Sequence, residues 1–525
     1  MRHKLKPKKR YLFRIIIPSY PPFTIYAALS DKTTALGPVC VATAAREVEG
    51  WDVEVIDENN LRRFGPRDPS RGADHERIQN QRPADLVGLY GGLTSTIPRV
   101  HELAEFYKSR GVCTVAGGQH FVEETIPETL SSGIDYIVMG EAEETIKDLL
   151  TSLTDGGNLS SIPGLVYEEE GKIIRTPCRD PVQGLDALPL PDFSLLRYAN
   201  LSLFPVGRVR GCGMNCEFCT VKGRPRYASP ERLMEQVSKL VETMSAKRFF
   251  IVDDLFGQDR ADTLRLCRML KEYQDNIGKS LKLAVQIRLD KAKDTELLKA
   301  MRNAGVGMVA IGLESPIKQE LAAMNKKMKP EGMLQMIRVF HQFGFFIHGM
   351  FIFGYPMKEG TTFEMSARER VKHFKRFIKK SRIDTLQIHL PVPLPGSELR
   401  ARLSRQKRIY PLKDVGWEYY DGSFPIIEHD KPMTSEETQY AMQKLMGRFY
   451  STRYLFMFLL HLISFPRLIF HLANIKSGWR RWYRKWRNYL LRMTGSKIIK
   501  NWTRQLQRGI FSEKLKKAKL SLKKL

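Results

Sequence analysis

The sequence predicts an α/β chain with a doubly wound parallel sheet over residues 11–155, a second strand–helix series over residues 201–400, and a helical, basic region over residues 401–525. Three observations carry this. Apolar runs of strand length alternate with helical stretches, and they do so twice. Glycines follow several of the first runs, where a parallel sheet turns into its helices. The charge is uneven. The net charge is +28, and residues 476–525 hold seventeen Lys and Arg against one acid, Glu513.

A chain of 525 residues has room for two or three domains, and 42% hydrophobic residues is an ordinary supply for their cores. The basic N-terminus leads into a short apolar run at residues 11–18. That run is too short for a signal-peptide core with its cleavage site and reads as a first buried strand. Further strands are expected at 53–56, 84–90, 112–116 and 135–139, with helices at 37–50 and 100–110. Ligands bind such sheets at the carboxyl ends of the strands, where Gly91-Gly92, Gly117-Gly118 and Gly140-Glu141 stand. Residues 156–200 hold Pro and Gly without periodicity and read as a linker over the domain junction. Strands are then expected at 206–210, 248–252, 281–287, 308–311, 348–353 and 385–390.

Cysteine usage is informative. Of seven Cys, Cys40, Cys113, Cys178 and Cys267 are scattered, which is no disulfide framework and suits a reducing cytosol. The other three fall in residues 210–220, Arg-Gly-Cys-Gly-Met-Asn-Cys-Glu-Phe-Cys-Thr, with the spacing Cys-x3-Cys-x2-Cys. Three thiolates on one tight loop can hold three irons of a cubane cluster and leave the fourth open. Gly211 and Gly213 let the backbone fold around it. Zinc is the competing metal, but it needs a fourth ligand and no matching His or Cys pair follows. Three unrelated buried cysteines are the remaining alternative. No second Cys cluster is present, so no auxiliary iron–sulfur centre is expected.

With Phe218 before the third Cys, this motif resembles the signature of the radical S-adenosylmethionine enzymes. The resemblance implies a [4Fe-4S] cluster on Cys212, Cys216 and Cys219, with S-adenosylmethionine on the open iron and its reductive cleavage to a 5′-deoxyadenosyl radical. It also implies a partial (β/α)6 TIM-like barrel for residues 201–400, with the active site at the strand carboxyl ends. By that resemblance Phe218, Asp253, Gln286, Arg288, Gly312 and Glu314 are the S-adenosylmethionine contacts, Arg288 offering a planar fork to a carboxylate. Each has a plainer reading as a helix cap or surface ion pair. His348 and His389 read more readily as structural histidines than as acid–base groups.

The string Gly117-Gly-Gln-His-Phe121, followed by residues 132–143, resembles the end of the cobalamin-binding domain that often precedes such barrels. It implies a Rossmann-like fold for residues 11–155, with corrin contacts at Thr94, Ser95, Gly117, Gly118, Gln119, Gly140 and Glu141. The Asp-x-His-x-x-Gly motif that supplies a cobalt ligand in many cobalamin proteins is absent. His75 directly follows Asp74, and His120 lies on another strand end. Cobalamin is therefore expected without histidine below cobalt, and the alternative is a vestigial domain that binds no corrin.

Residues 454–474 are apolar and long enough to span a bilayer, but they contain Pro466, Arg467, His461 and His471. A helix-break-helix that lies in the membrane interface, or packs on the protein, is expected instead. On a helical wheel Trp479, Trp482, Trp486, Leu490 and Met493 then share one face, with Arg480, Arg481, Arg484, Lys485, Arg487 and Arg492 around it, the pattern of a helix lying on an anionic membrane. A solvated basic tail with no partner, and nucleic-acid binding, are the weaker readings of the same residues. The expectation is a cobalamin-dependent radical enzyme, cytoplasmic and peripheral at the inner face of the cell membrane. It would methylate an unactivated carbon of a lipid-like substrate and take electrons from a flavodoxin or ferredoxin. Radical oxidative cyclisation of a porphyrin-type substrate, tRNA methylthiolation and a non-catalytic membrane-docked sensor are the alternatives. Methylthiolation is disfavoured because the extra N-terminal three-Cys domain of that family is not in this sequence.

Overall fold

The computed structural model describes residues 5–28, 30–62, 65–463 and 477–524. The strands of the first half are β1 (Tyr11–Ile17), β2 (Trp51–Asp57), β3 (Leu86–Tyr90), β4 (Cys113–Gly117), β5 (Tyr136–Val138), β6 (Leu165–Glu169), β7 (Lys172–Arg175) and β8 (Leu196–Arg197). They form one sheet in the order β7-β6-β5-β4-β3-β1-β2-β8. β1 to β5 and β8 run parallel, while β6 and β7 are antiparallel at one edge. β1 lies between β2 and β3, so the winding reverses there and opens a crevice at the carboxyl ends. Period two along β1 explains its burial on both faces. Leu12 and Ile16 join the core shared with the barrel, and Phe13 and Ile15 join a separate core on the other face.

The expected linker at 156–200 is corrected by this sheet, since it supplies strands to both edges. The physical reason is a two-residue hairpin turn at Glu170-Gly171, with φ of 51° and 74°, which the Gly readily accepts.

The second half contains β9 (Phe204–Val206), β10 (Val209–Arg210), β11 (Arg226–Tyr227), β12 (Arg248–Phe256), β13 (Lys282–Ile287), β14 (Val306–Glu314), β15 (Phe346–Ile352) and β16 (Thr385–His389). Six of these make an all-parallel sheet in the order β16-β15-β14-β13-β12-β9. The expected strand at 206–210 is in fact two pieces. β9 enters the parallel sheet, whereas β10 leaves it to pair with β11 and closes the loop that carries the three cysteines.

The C-terminal helices include Ser435–Phe449, Arg453–Ile463, Ser477–Arg508 and Phe511–Leu522. No helix among the described residues is long and apolar enough to cross a membrane. Residues 464–474 of the apolar run, and the side chains of Trp479, Arg480 and Arg481, lie outside the description. The tail face expected to meet lipid is corrected. Trp482 is buried and stacks on His461 with ring centres 5.2 Å apart, and Trp486 stands 5.8 Å from Phe458. Arg484, Arg487 and Asn488 all reach the fully buried carboxylate of Asp384, Asn488 Nδ2 at 2.7 Å. Arg492 donates to the carbonyl of Ile383 at 2.9 Å. Half of the basic face thus closes the amino-terminal end of β16, because a buried carboxylate needs donors more than a surface does.

Candidate functional site

Alternation along the barrel strands decides which side chains face its interior. In β15 and β16 the residues His348, Met350, Ile352, Gln387 and His389 are half-buried, while their neighbours are buried against the helices. His348 Nδ1 lies 3.0 Å from Thr385 Oγ1 and its Nε2 2.9 Å from Gln387 Oε1, and Gln387 Nε2 reaches His389 Nε2 at 2.5 Å. Burial pushes both histidines below the usual range, His389 to about 4, so this row is neutral and polar.

In β12 the same parity separates two adjacent carboxylates. Asp254 faces inward, and its Oδ2 accepts from Gly211 N at 2.6 Å. Asp253 is buried on the other side, where its Oδ1 accepts from Arg208 N at 2.7 Å and Val209 N at 3.0 Å. Burial raises it to about 6. Asp253 as a cofactor contact is therefore corrected. Its side chain points away from the barrel interior, and Oδ1 is taken by the backbone that leads from β9 into β10.

The cysteine loop is tied at several points. Gly211 has φ of 90°, and a Cβ there would come within 2.8 Å of the Arg224 carbonyl oxygen, so the position needs glycine. Gly213 N donates to Gly223 O at 3.1 Å, and Gln258 Nε2 donates to Cys212 O at 2.6 Å. Glu217 is buried and accepts from Arg402 at 2.7 and 3.0 Å and from Tyr355 OH at 2.6 Å. Phe218 packs edge-on to Tyr355. Arg288 Nη1 meets Met214 Sδ at 2.6 Å while Asp290 holds the guanidinium from the other side. Glu314 has φ of 57° and accepts from Lys326 Nζ at 2.8 Å. Gly312 leaves room for that pair, since a Cβ there would stand 2.4 Å from Glu314 Oε1. Gln286, Arg288, Gly312 and Glu314 thus share the carboxyl ends of β13 and β14, and Gln286 is exposed there.

The three thiols are free and half-buried, and burial raises those of Cys216 and Cys219. Among the described residues no three His, Cys, Asp or Glu side chains converge as one metal ion would need. A cubane asks for less convergence, since each thiolate takes its own iron. A half-buried loop of three free thiols whose backbone is pinned by Asp254 and Gln258 fits that demand better than a tetrahedral zinc site.

A cavity of about 900 Å³ opens between the carboxyl ends of the first sheet and this loop. Its floor includes Gly88, Tyr90, Gly117, Gly118, Gly140 and Glu141, and its opposite wall includes Arg210, Gly211 and residues 220–224. The absence of side chains at the glycines leaves space for a broad, flat group, so the residues present fit a corrin. Gln119 also lines it, and Glu141 accepts from Arg226 at 2.5 Å, strapping the two halves together. Thr94 and Ser95 are corrected. They do not line the cavity but sit in the short turn Thr94–Thr96, which packs on Trp417–Tyr419. The sequence reading missed Gly37 and Cys40 on the rim; burial pushes the Cys40 thiol up to about 12, so it stays neutral. No histidine among the described residues lines the cavity. His75 is buried between Tyr107 and Glu58, and His120 against Trp417.

Two family models match the chain, the B12 binding domain over residues 24–150 and the radical SAM superfamily over residues 207–369. An uncharacterized methyltransferase of Pyrococcus horikoshii is 28% identical over 79% of this chain and 87% of its own length. Hopanoid C-2 methylase of Rhodopseudomonas palustris is 28% identical over 52% of this chain and 50% of its own. Among solved structures, the radical S-adenosylmethionine methyltransferase TsrM from Kitasatospora setae, with cobalamin and [4Fe-4S] cluster bound, superposes with a TM-score of 0.59 at 19% identity over 76% of this chain and 75% of that one. The cobalamin-dependent enzyme OxsB gives 0.62 at 15% identity over 98% and 81%. At such identities the superpositions establish the fold, and the two domain matches carry the rest. With the B12 domain ahead of the barrel and a three-cysteine loop after the barrel's first strand, the chain belongs to the cobalamin-binding radical S-adenosylmethionine enzymes, whose cofactors are a [4Fe-4S] cluster, S-adenosylmethionine and cobalamin.

Proposed function

We propose that this enzyme is a methyltransferase acting on an unactivated carbon of a lipid-like substrate. The observation that carries the reading is the single cavity wall shared by the strand ends of the first sheet and the cysteine loop. It sets the corrin space directly beside the cluster loop, which a methyl relay needs and a cluster alone does not. Methyltransferases among the relatives, one of them acting on hopanoids, support it. When bound, the cluster and S-adenosylmethionine supply hydrogen-atom abstraction and cobalamin carries the methyl group.

The chain's residues do the rest. Cys212, Cys216 and Cys219 hold the cluster on a loop fixed by Asp254, Gln258 and Glu217. Arg288, whose Nε and Nη2 are held by Asp290, would offer its remaining guanidinium edge to the carboxylate of S-adenosylmethionine. Glu314 and Gln286 hold its amino group and ribose, Gly312 admits the adenosine, and Phe218 packs beside it. Gly117, Gly118, Gln119, Gly140 and Glu141 line the corrin. The neutral His348–Gln387–His389 row offers orienting hydrogen bonds without charge. A one-electron donor such as flavodoxin or ferredoxin would be the redox partner of a cluster held there.

Membrane presentation is proposed through a different surface from the tryptophan face. On the helix Arg453–Ile463, Leu455, Phe456, Met457, Leu459 and Leu460 are all exposed, Phe456 at 65%. Five adjoining apolar side chains in a strongly basic region suit an anionic leaflet. Binding to acidic vesicles should weaken, without vanishing, as salt rises, and Phe456→Glu with Leu460→Glu should abolish it.

The reaction is tested by anaerobic turnover together with mass spectrometry of lipids from cells with and without the protein. A species one methyl group heavier, with both 5′-deoxyadenosine and S-adenosylhomocysteine, is expected. A second reading is oxidative cyclisation, since the anaerobic magnesium-protoporphyrin IX monomethyl ester cyclase of Rubrivivax gelatinosus is 23% identical over 69% of this chain and 65% of its own length. Substrate oxidation with 5′-deoxyadenosine but no S-adenosylhomocysteine would select it.

A further inference from the structure

Asp254 stands where the two cofactor sites meet. It lies on the inward side of β12 and also lines the cavity of about 900 Å³ that fits a corrin. Its Oδ2 accepts from Gly211 N at 2.6 Å, one residue before Cys212, so half of the carboxylate is committed to the cysteine loop. The other half is not. Oδ1 takes no hydrogen bond among the described residues. It is also open, whereas Oδ2 of the neighbouring Asp253 is sealed inside the protein.

Three carboxylates line this cavity among the described residues, and Asp254 differs from the other two. Glu141 accepts from Arg226 at 2.5 Å and pairs with Arg210 at 3.2 Å, and Glu143 accepts from Arg210. Asp254 has no ion pair among the described residues. Burial raises its pKa, and Arg210, the cation that opposes this, is already engaged by the two glutamates. A carboxylate half-withdrawn from water with a single backbone donor is short of partners, and an ionised acceptor gains more from a donor than a neutral one does. The group that the cavity fits brings such donors. The rim of a corrin carries primary amide side chains, each with two N–H donors. The bare glycine floor accepts the flat ring, so the rim must meet the walls, where Asp254 stands.

We propose that Asp254 is a positioning residue that ties the two cofactor sites together, with Oδ2 holding the cysteine loop through Gly211 N and Oδ1 accepting from an amide side chain on the rim of the corrin. Filling one site then steadies the other through a single side chain. The inference rests on the corrin fit of the cavity and not on which reaction follows, so it holds for methylation and cyclisation alike.

The test is equilibrium dialysis of the cluster-reconstituted full chain against two probes, hydroxocobalamin and dicyanocobinamide. The second keeps the rim amides and lacks the nucleotide tail. Asp254→Asn retains an oxygen for Gly211 N and removes the charge. It should keep the iron content of the wild type and weaken both corrinoids by the same factor, about fivefold or more. A purely structural role would leave corrin affinity unmoved, since the loop contact survives in that variant. Asp254→Ala removes both contacts and should lower iron content and corrin binding together. In the wild type, which needs no variant to fold, hydrogen exchange of residues 208–214 should slow when hydroxocobalamin is added. The proposal is overturned if that exchange does not change, if Asp254→Asn binds both corrinoids as the wild type does, or if that variant loses its iron. It is equally overturned if only hydroxocobalamin is bound or weakened, which would assign the contact to the nucleotide tail.

Discussion

The two parallel sheets present their carboxyl ends to one space but end differently. The first ends in glycine and bare backbone at Gly117, Gly118 and Gly140. The second ends in charge at Asp254, Arg288 and Glu314, each already held by a partner such as Gly211, Asp290 or Lys326. A broad, flat ligand is accommodated by removing side chains, whereas a small zwitterion is held by adding them. One end is a shape and the other a set of charges. They should therefore fail in different ways when altered.

The largest expected effect is at the charged end. Cys216→Ala removes one of the three proposed cluster ligands and should abolish S-adenosylmethionine cleavage. Iron content, at about four per chain in the reconstituted wild type, should fall with it. Cys267, buried in the core away from the loop, is the contrast, and Cys267→Ala should keep both. Full activity in Cys216→Ala would falsify the ligand assignment. At the glycine end a substitution should act by filling space. Gly37 lines the cavity, and a Cβ there meets nothing within 4 Å, so Gly37→Phe enters without backbone strain. Cobalamin bound after reconstitution should fall about tenfold, equivalent to ~1.4 kcal/mol, while the cluster is retained. Loss of cluster with retention of cobalamin would reverse the comparison.

The same contrast explains what could be read in advance. Apolar runs of period two and their terminal glycines are local, so five strands of the first sheet and five of the six in the barrel were legible, as was the cysteine spacing, while the first barrel strand was blurred into the short strand that follows it. Facing was less so. Asp253 and Asp254 are indistinguishable until the length of β12 fixes which one points inward. Thr94 and Ser95 follow a strand end, yet the chain turns them toward Trp417 instead of the cavity. Partners far apart in sequence left no signal at all. Arg402 reaches Glu217 across 185 residues, and neither Gln258 and Arg402, which support the cysteine loop, nor Lys326, which holds Glu314, carries a local motif that marks it. The tail misled for a related reason. A tryptophan face beside an arginine face describes a membrane helix and an intramolecular one equally well, and only the buried carboxylate of Asp384 selects the second.

That carboxylate supplies the smallest expected effect on turnover. Asp384 stands at the amino end of β16, opposite the chemistry. Burial works against its charge, but His341, Arg484 and the Ile347 N–H hold its pKa down to about 2. A folded value below the unfolded ~3.9 means that its contribution to stability is complete above about pH 4 and is lost as pH falls toward 2, on the order of 2–3 kcal/mol by linkage. Asp384→Asn should therefore lower thermal stability at pH 7 and flatten the acid limb of the stability profile. It should leave the rate of S-adenosylmethionine cleavage at neutral pH unchanged, because no residue of the cluster loop touches it. A variant that kept wild-type stability but lost cleavage would mean that the amino end of the barrel speaks to the reaction, and the division between a chemical end and a structural end of the same strands would have to be abandoned.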